Sequence, residues 1–155
     1  MLIIGAVIAV LLLSLLGALR IWRKRQQREL EQHSIAPAEL YSLLSSGRNV
    51  LLFDVRQPLD LLAYPEIIPG AHRVSPQEAM DQPSLIPRDK DVVVYCTCAG
   101  EKTSRAVLRR ALDLHFSRVQ FLQGGLAAWK AKGFPVEPYR EPFQLHVPSS
   151  SAPIG

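Results

Sequence analysis

Cysteine is nearly absent from this chain, and the two that occur, Cys96 and Cys98, stand with one residue between them, too close in sequence for an unstrained disulfide. A disulfide framework is excluded. A closed structural zinc site wants a full tetrahedral ligand set, usually with the wider Cys-x-x-Cys spacing and a second pair elsewhere. No second pair exists, and His33, His72, His115 and His146 are scattered, so neither a metal nor a cofactor is expected. Charge is missing too, from Met1 to Leu19, and no internal repeat is visible. Once that apolar block is set aside, the remaining length suits one globular core and leaves no room for a second catalytic half.

The uncharged run is rich in Leu, Ile, Val and Ala and matches the roughly 20 residues that cross a hydrocarbon core of ~30 Å. A cleaved signal peptide carries its positive charges before the apolar stretch, whereas here Arg20, Arg23, Lys24, Arg25 and Arg28 follow it. The expectation is one uncleaved transmembrane helix over residues 1–22, with Trp22 at headgroup level. By the positive-inside rule the chain is then single-pass at an inner or plasma membrane, with its domain in the cytoplasm. The basic cluster supplies much of the formal charge of +4. Beside a span it meets anionic lipid, so membrane lipid is an expected partner and nucleic acid is not.

Residues 23–33 read as a basic and polar spacer, 34–138 as the folded domain, and 139–155, rich in Pro and Ser, as a disordered tail. Ser34 to Leu44 has Pro37 near a first turn, apolar residues at helical spacing and a stop at Gly47. Val50 to Asp54 and Val92 to Tyr95 are short apolar runs, the pattern of strands buried on both faces of a parallel sheet. Val119 to Leu122 is a third candidate, with a shorter one at His72 to Val74. Ser104 to His115 carries an apolar stripe of Val107, Leu108, Ala111, Leu112 and Leu114, and strand, helix and strand in that order imply a right-handed parallel crossover. A further helix, Leu126 to Lys132, follows the Gly124-Gly125 turn. The fold class is α/β, an open parallel sheet flanked by helices and preceded by the transmembrane helix.

Ligands of an open parallel sheet bind beyond the carboxyl ends of the strands, where Cys96 follows Tyr95 directly. A thiol placed there faces the positive end of a helix dipole and free loop N–H groups, which favour the thiolate. The bland alternative is a small apolar residue that ends a strand.

The soluble part resembles the rhodanese, or sulfurtransferase, superfamily from about Ile35 to Glu137. Leu51-Leu52-Phe53-Asp54-Val55-Arg56 is similar to the family's first strand, and Ile68-Pro69-Gly70-Ala71 to its Ile-Pro-Gly-Ala turn. Val93-Val94-Tyr95-Cys96 resembles the approach to the active-site loop, and Leu122 to Trp129 followed by Gly133-Phe134-Pro135-Val136 resembles the family's ending. The resemblance implies that a loop thiolate takes sulfane sulfur from a small donor such as thiosulfate, or from a protein persulfide. It becomes a persulfide and passes the outer sulfur to a thiol or other thiophilic acceptor. The loop would act as a backbone nest for negative charge.

The loop residues are Cys96, Thr97, Cys98, Ala99, Gly100, Glu101, Lys102, Thr103 and Ser104. The resemblance implies a loop of six residues that begins with the cysteine and commonly carries Arg; with Ser104 as the first helical residue, the stretch from Cys96 to Thr103 is longer by two, so the strand argues for Cys96 as nucleophile and the loop count for Cys98. We favour Cys96, the residue the strand delivers to the loop. Glu101 puts a carboxylate where an anionic donor would bind, and a like charge opposes the thiolate, which makes a non-catalytic scaffold at the membrane the alternative function. A Cys-x5-Arg phosphatase loop does not fit, since Glu101 and Lys102 stand where its arginine would be. Asp54 is expected to hold the loop by hydrogen bonding and Arg56 to pair with an acidic neighbour, both as supporting residues. Trp129 is expected in the core.

Overall fold

The computed structural model describes residues 2–97 and 101–140, with side chains from residue 11 onward. Cys98, Ala99, Gly100 and the part of the expected disordered tail from residue 141 onward lie outside the described residues.

The chain begins with α1 (Leu2–Gln32), one continuous helix through both the expected anchor and the expected spacer. Among the described residues no helix is long and apolar enough to cross a membrane, so the transmembrane helix expected over 1–22 is not supported. The apolar stretch with described side chains runs from Leu11 to the arginines that start at Arg20. Residues 2–10, which carry the rest of that run, have side chains outside the described residues. Nor does the spacer stand apart from the domain, because Leu30 is buried in the domain core.

Five short strands form one all-parallel sheet: β1 (Ser34–Ile35), β2 (Val50–Asp54), β4 (His72–Arg73), β5 (Asp91–Tyr95) and β6 (Val119–Leu122). Their order across the sheet is β1-β6-β5-β2-β4, which puts β5 in the centre. A separate antiparallel pair joins β3 (Glu66–Ile67) to β7 (Glu137–Pro138). The helices are α2 (Pro37–Ser45), α3 (Pro58–Ala63), α4 (Pro76–Asp81), α5 (Lys102–Asp113) and α6 (Gly125–Ala131).

The strand period of two sorts the sheet residues into two cores. Phe53, Val55, Val92, Val94, Cys96, Val119 and Phe121 face α4, α5 and Leu30 of α1. Leu52, Val93, Tyr95 and Leu122 face α2 and α6, whose Leu40, Leu126 and Trp129 complete the second core. Both faces are covered, which is why β2 and β5 read as continuous apolar runs rather than alternating ones.

Three boundaries differ from the sequence reading. Ser34 and Ile35 are not helical: they pair with Phe121 and Leu122 as the edge strand β1. Pro37 forces the extended conformation on Ala36 (φ −74°, ψ 149°), so α2 starts only at the proline. Helix α5 starts at Lys102, two residues before Ser104. At the far end, Glu137 and Pro138 pair with β3, and the Tyr139 N–H donates to the Pro65 carbonyl at 2.8 Å. The ordered domain thus runs past 138.

Candidate active site at the end of the central strand

Strand β5 is hydrogen-bonded on both sides, to β2 and β6, so the backbone that leaves it is aimed by a rigid frame. Cys96 is the next residue, 2% exposed, on the α5 face of the sheet. Its carbonyl accepts from the Leu126 N–H at 3.1 Å. Directly against it lies Gly125, with φ +55°; a Cβ there would stand 2.0 Å from the Cys96 carbonyl oxygen. Only glycine tolerates that backbone and that approach. The Gly124-Gly125 pair, read from the sequence as a turn alone, is therefore also the rest on which the cysteine's peptide sits. A glycine pair directly after a strand was the available signal.

Glu101, the residue before α5, takes the left-handed conformation (φ 50°, ψ 32°), which costs a non-glycine residue roughly 1–2 kcal/mol. Its carboxylate is anchored on both oxygens. Oε1 accepts from the Gly124 N–H at 2.6 Å, and Oε2 lies 3.5 Å from Arg105 Nε. The Arg105 guanidinium in turn lies 4.6 Å from the centre of the Phe121 ring. The expectation that Glu101 confronts an incoming anion is therefore revised: its charge is spent on tying the end of the loop to the glycine turn.

Lys102 is exposed, Thr97 and Thr103 are half-buried, and Ser104 is fully buried with no hydrogen-bond partner for its Oγ among the described residues. Cys98, Ala99 and Gly100, the other expected loop residues, lie outside the described residues.

Asp54 and Arg56 pair with each other. Arg56 Nε donates to both carboxylate oxygens, at 2.9 and 2.8 Å, and the Arg56 backbone N–H donates to Oδ1 at 3.0 Å. The rest of the guanidinium fork reaches the carbonyls of Tyr64 and Glu66, each at 2.8 Å. Both side chains are fully buried, and such a pair needs this full set of donors and acceptors to offset desolvation. Among the described residues Asp54 makes no hydrogen bond to the loop that it was expected to hold. The pleat puts it opposite Tyr95, on the side of the sheet away from Cys96, where the pair holds the segment between α3 and β3. Arg56 does find an acidic partner, as expected. Tyr95 accepts from the Ile68 N–H at 3.1 Å. Burial above all, and then the Asp54 carboxylate, pushes its phenol far above the ordinary tyrosine range.

Trp129 is buried, its Nε1 donating to the Pro135 carbonyl at 2.8 Å. It is core, as the sequence indicated.

Residues 36–132 match the family described as Rhodanese-like domain. A protein named Sulfurtransferase from Allochromatium vinosum is 31% identical over 104 residues, which are 67% of this chain and 94% of that protein. The probable adenylyltransferase/sulfurtransferase MoeZ of Mycobacterium tuberculosis is 32% identical over 100 residues, but these are 62% of this chain and only 24% of that protein. Among solved structures, the rhodanese-like domain of the Alr3790 protein from Anabaena sp. is similar at a TM-score of 0.59 and 27% identity, over 79% of this chain and 86% of that one. The five-stranded parallel sheet with helices on both faces, the loop at the end of its central strand and these relationships agree: the chain belongs to the rhodanese-like domain family.

Proposed function

We propose that the protein is a sulfurtransferase that carries sulfane sulfur as a persulfide on Cys96. The observation that carries this reading is the position of Cys96 at the carboxyl end of the central strand, between the glycine turn and α5. Two features support it. Cys96 to Glu101 spans six residues before α5 begins at Lys102, the loop length that the family resemblance leads one to expect. The first turn of α5 offers the positive end of its dipole and the Ser104 hydroxyl, which has no partner among the described residues.

With thiosulfate as donor, the Cys96 thiolate attacks the sulfane sulfur. The new Cys–S–S bond forms as the S–S bond of thiosulfate breaks, and sulfite leaves with the electron pair. An acceptor thiolate then attacks the outer sulfur, and Cys96 departs as thiolate with the pair of the broken bond. No external oxidant or reductant is needed.

The burial of Cys96 favours a second reading, in which Cys98 carries the sulfur and Cys96 only packs. Mass spectrometry after exposure to thiosulfate separates the two. Cys96→Ser should lose the one-sulfur adduct and keep the fold, because a hydroxyl is a far poorer nucleophile at neutral pH, and Cys98→Ser should retain it. The reverse result assigns the sulfur to Cys98; no adduct on the wild type leaves a non-catalytic scaffold.

The setting is part of the proposal: α1 carries the domain at a membrane, with the domain on the cytoplasmic side. Support comes from the uncharged stretch from Met1 to Leu19 ahead of the arginine cluster, and from the exposure of Leu11, Leu12 and Leu13 at successive positions. Digestion of the domain by protease added outside spheroplasts would overturn this placement.

A further inference from the structure

The last described residues of the chain run toward an apolar face that no described residue covers. That face belongs to α3, the six-residue helix that follows β2. Leu61 points into the core, 5% exposed, whereas Leu59 and Leu62, three residues apart and so on one helix face, are 73% and 61% exposed. Tyr64, directly after the helix, is 56% exposed. No other large apolar residue described from Ser34 onward is more than 43% exposed. Three such side chains close together in sequence mark a docking surface rather than scattered surface residues.

The register of the small sheet shows where the chain is heading. Strand β7 runs antiparallel to β3, with Ile67 opposite Glu137 and Glu66 opposite Pro138, and the Tyr139 N–H extends the ladder to the Pro65 carbonyl. Each residue forward on this side is therefore one residue back toward α3 on the other, which brings Arg140 level with Tyr64. Residues 143–147 read Phe-Gln-Leu-His-Val. The composition of the whole tail is that of a disordered segment, yet this stretch alternates with a period of two, which sets Phe143, Leu145 and Val147 on one side of an extended chain. At ~3.3 Å per residue Phe143 lies within ~10 Å of Arg140 and Val147 within ~23 Å, and α3 is only ~9 Å long. No charged residue follows Glu141 to oppose burial. A tethered segment also meets the face at an effective concentration on the order of mM, an advantage that a free partner or a second copy lacks. We propose that residues 143–147 strap across α3 of the same molecule, with Phe143, Leu145 and Val147 covering Leu59, Leu62 and Tyr64. Strands β2 and β5 end in register, with Asp54 opposite Tyr95, so α3 leaves the sheet at the edge from which Cys96 emerges, and the strap borders that edge.

Hydroxyl-radical footprinting of the full chain, read by mass spectrometry, reports side-chain exposure residue by residue and tests this. In Phe143→Ser combined with Leu145→Ser, Tyr64 should be labelled about fivefold faster than in the wild type, because its cover is lost. In Leu59→Ser combined with Leu62→Ser, Phe143 should be labelled faster by a similar factor. The wild-type rates should not depend on protein concentration, and the buried Trp129 should stay unlabelled throughout. If Trp129 becomes reactive in the α3 pair, the tail pair, which removes nothing from the core, decides alone. A Tyr64 rate in the tail pair equal to that of the wild type would overturn the proposal. Labelling of Tyr64 that slows as protein concentration rises would overturn it too, and would assign the face to a second copy.

Discussion

A hydroxyl buried without a partner, as at Ser104, costs a folded protein about 1–3 kcal/mol relative to a satisfied one. It persists where something outside the free protein completes it. In the proposed reaction the Ser104 hydroxyl, without a partner among the described residues, would donate to the transferred sulfur or its oxyanion. Ser104→Ala should therefore separate stability from activity: the melting temperature should stay the same or rise, while the rate of sulfur loading from thiosulfate falls about tenfold, as for one lost hydrogen bond of about 1.4 kcal/mol to a charged group. Unaltered loading would show that the hydroxyl serves no ligand. Glu101 has the opposite character, with both carboxylate oxygens engaged by Gly124 and Arg105, and it serves the geometry of the loop.

Among the elements, β5 and α6 meet in close backbone contact at Cys96 and Gly125. Leu126 donates to the Cys96 carbonyl, and Gly125 leaves no space for a side chain beside it. Gly125→Ala should destabilise the domain by about 2 kcal/mol or more, combining the cost of a positive φ with overpacking against backbone that cannot retreat. It should also abolish sulfur uptake, since relief of the clash requires the Cys96 peptide to move. Chemical denaturation together with mass spectrometry checks both. A variant of near-native stability and activity would mean that the glycine turn is not what positions the cysteine.

At the scale of the whole molecule, the last turns of α1 belong to the domain through Leu30. A fragment of residues 24–140 should fold, and one of residues 34–140 should be less stable by about 2 kcal/mol, the burial energy of one leucine; equal denaturation midpoints would refute this. The second core sets an alkaline limit. Tyr95 is held neutral by burial and by Asp54, so its folded pKa lies above its unfolded value near 10. The stabilisation is complete below pH about 10 and is lost as pH rises above it, because the unfolded chain releases the proton first. Unfolding free energy should decline above pH 10, and Tyr95→Phe should flatten that decline while lowering neutral stability, because the Ile68 N–H loses its acceptor. The same alkaline slope in Tyr95→Phe would assign the effect elsewhere.

The local grammar of the chain was enough to indicate the α/β class, the three long strands, the crossover helix and the cysteine that ends the central strand. Each of these follows from nearest-neighbour chemistry: apolar runs, helical stripes, proline starts and glycine stops. The edge strand at Ser34 and Ile35, the pairing of Glu137 and Pro138 with β3, and the burial of Leu30 were not legible, because each depends on a partner remote in sequence. The same holds for the site. The residue types of the loop were visible in sequence, but which way Glu101 points, which face of the sheet Asp54 occupies, and how closely Gly125 approaches the Cys96 carbonyl were decided only when parallel strands came into register. One residue of register turns a side chain to the other face of a sheet. That step placed Cys96 on the α5 side and the Asp54–Arg56 pair on the other.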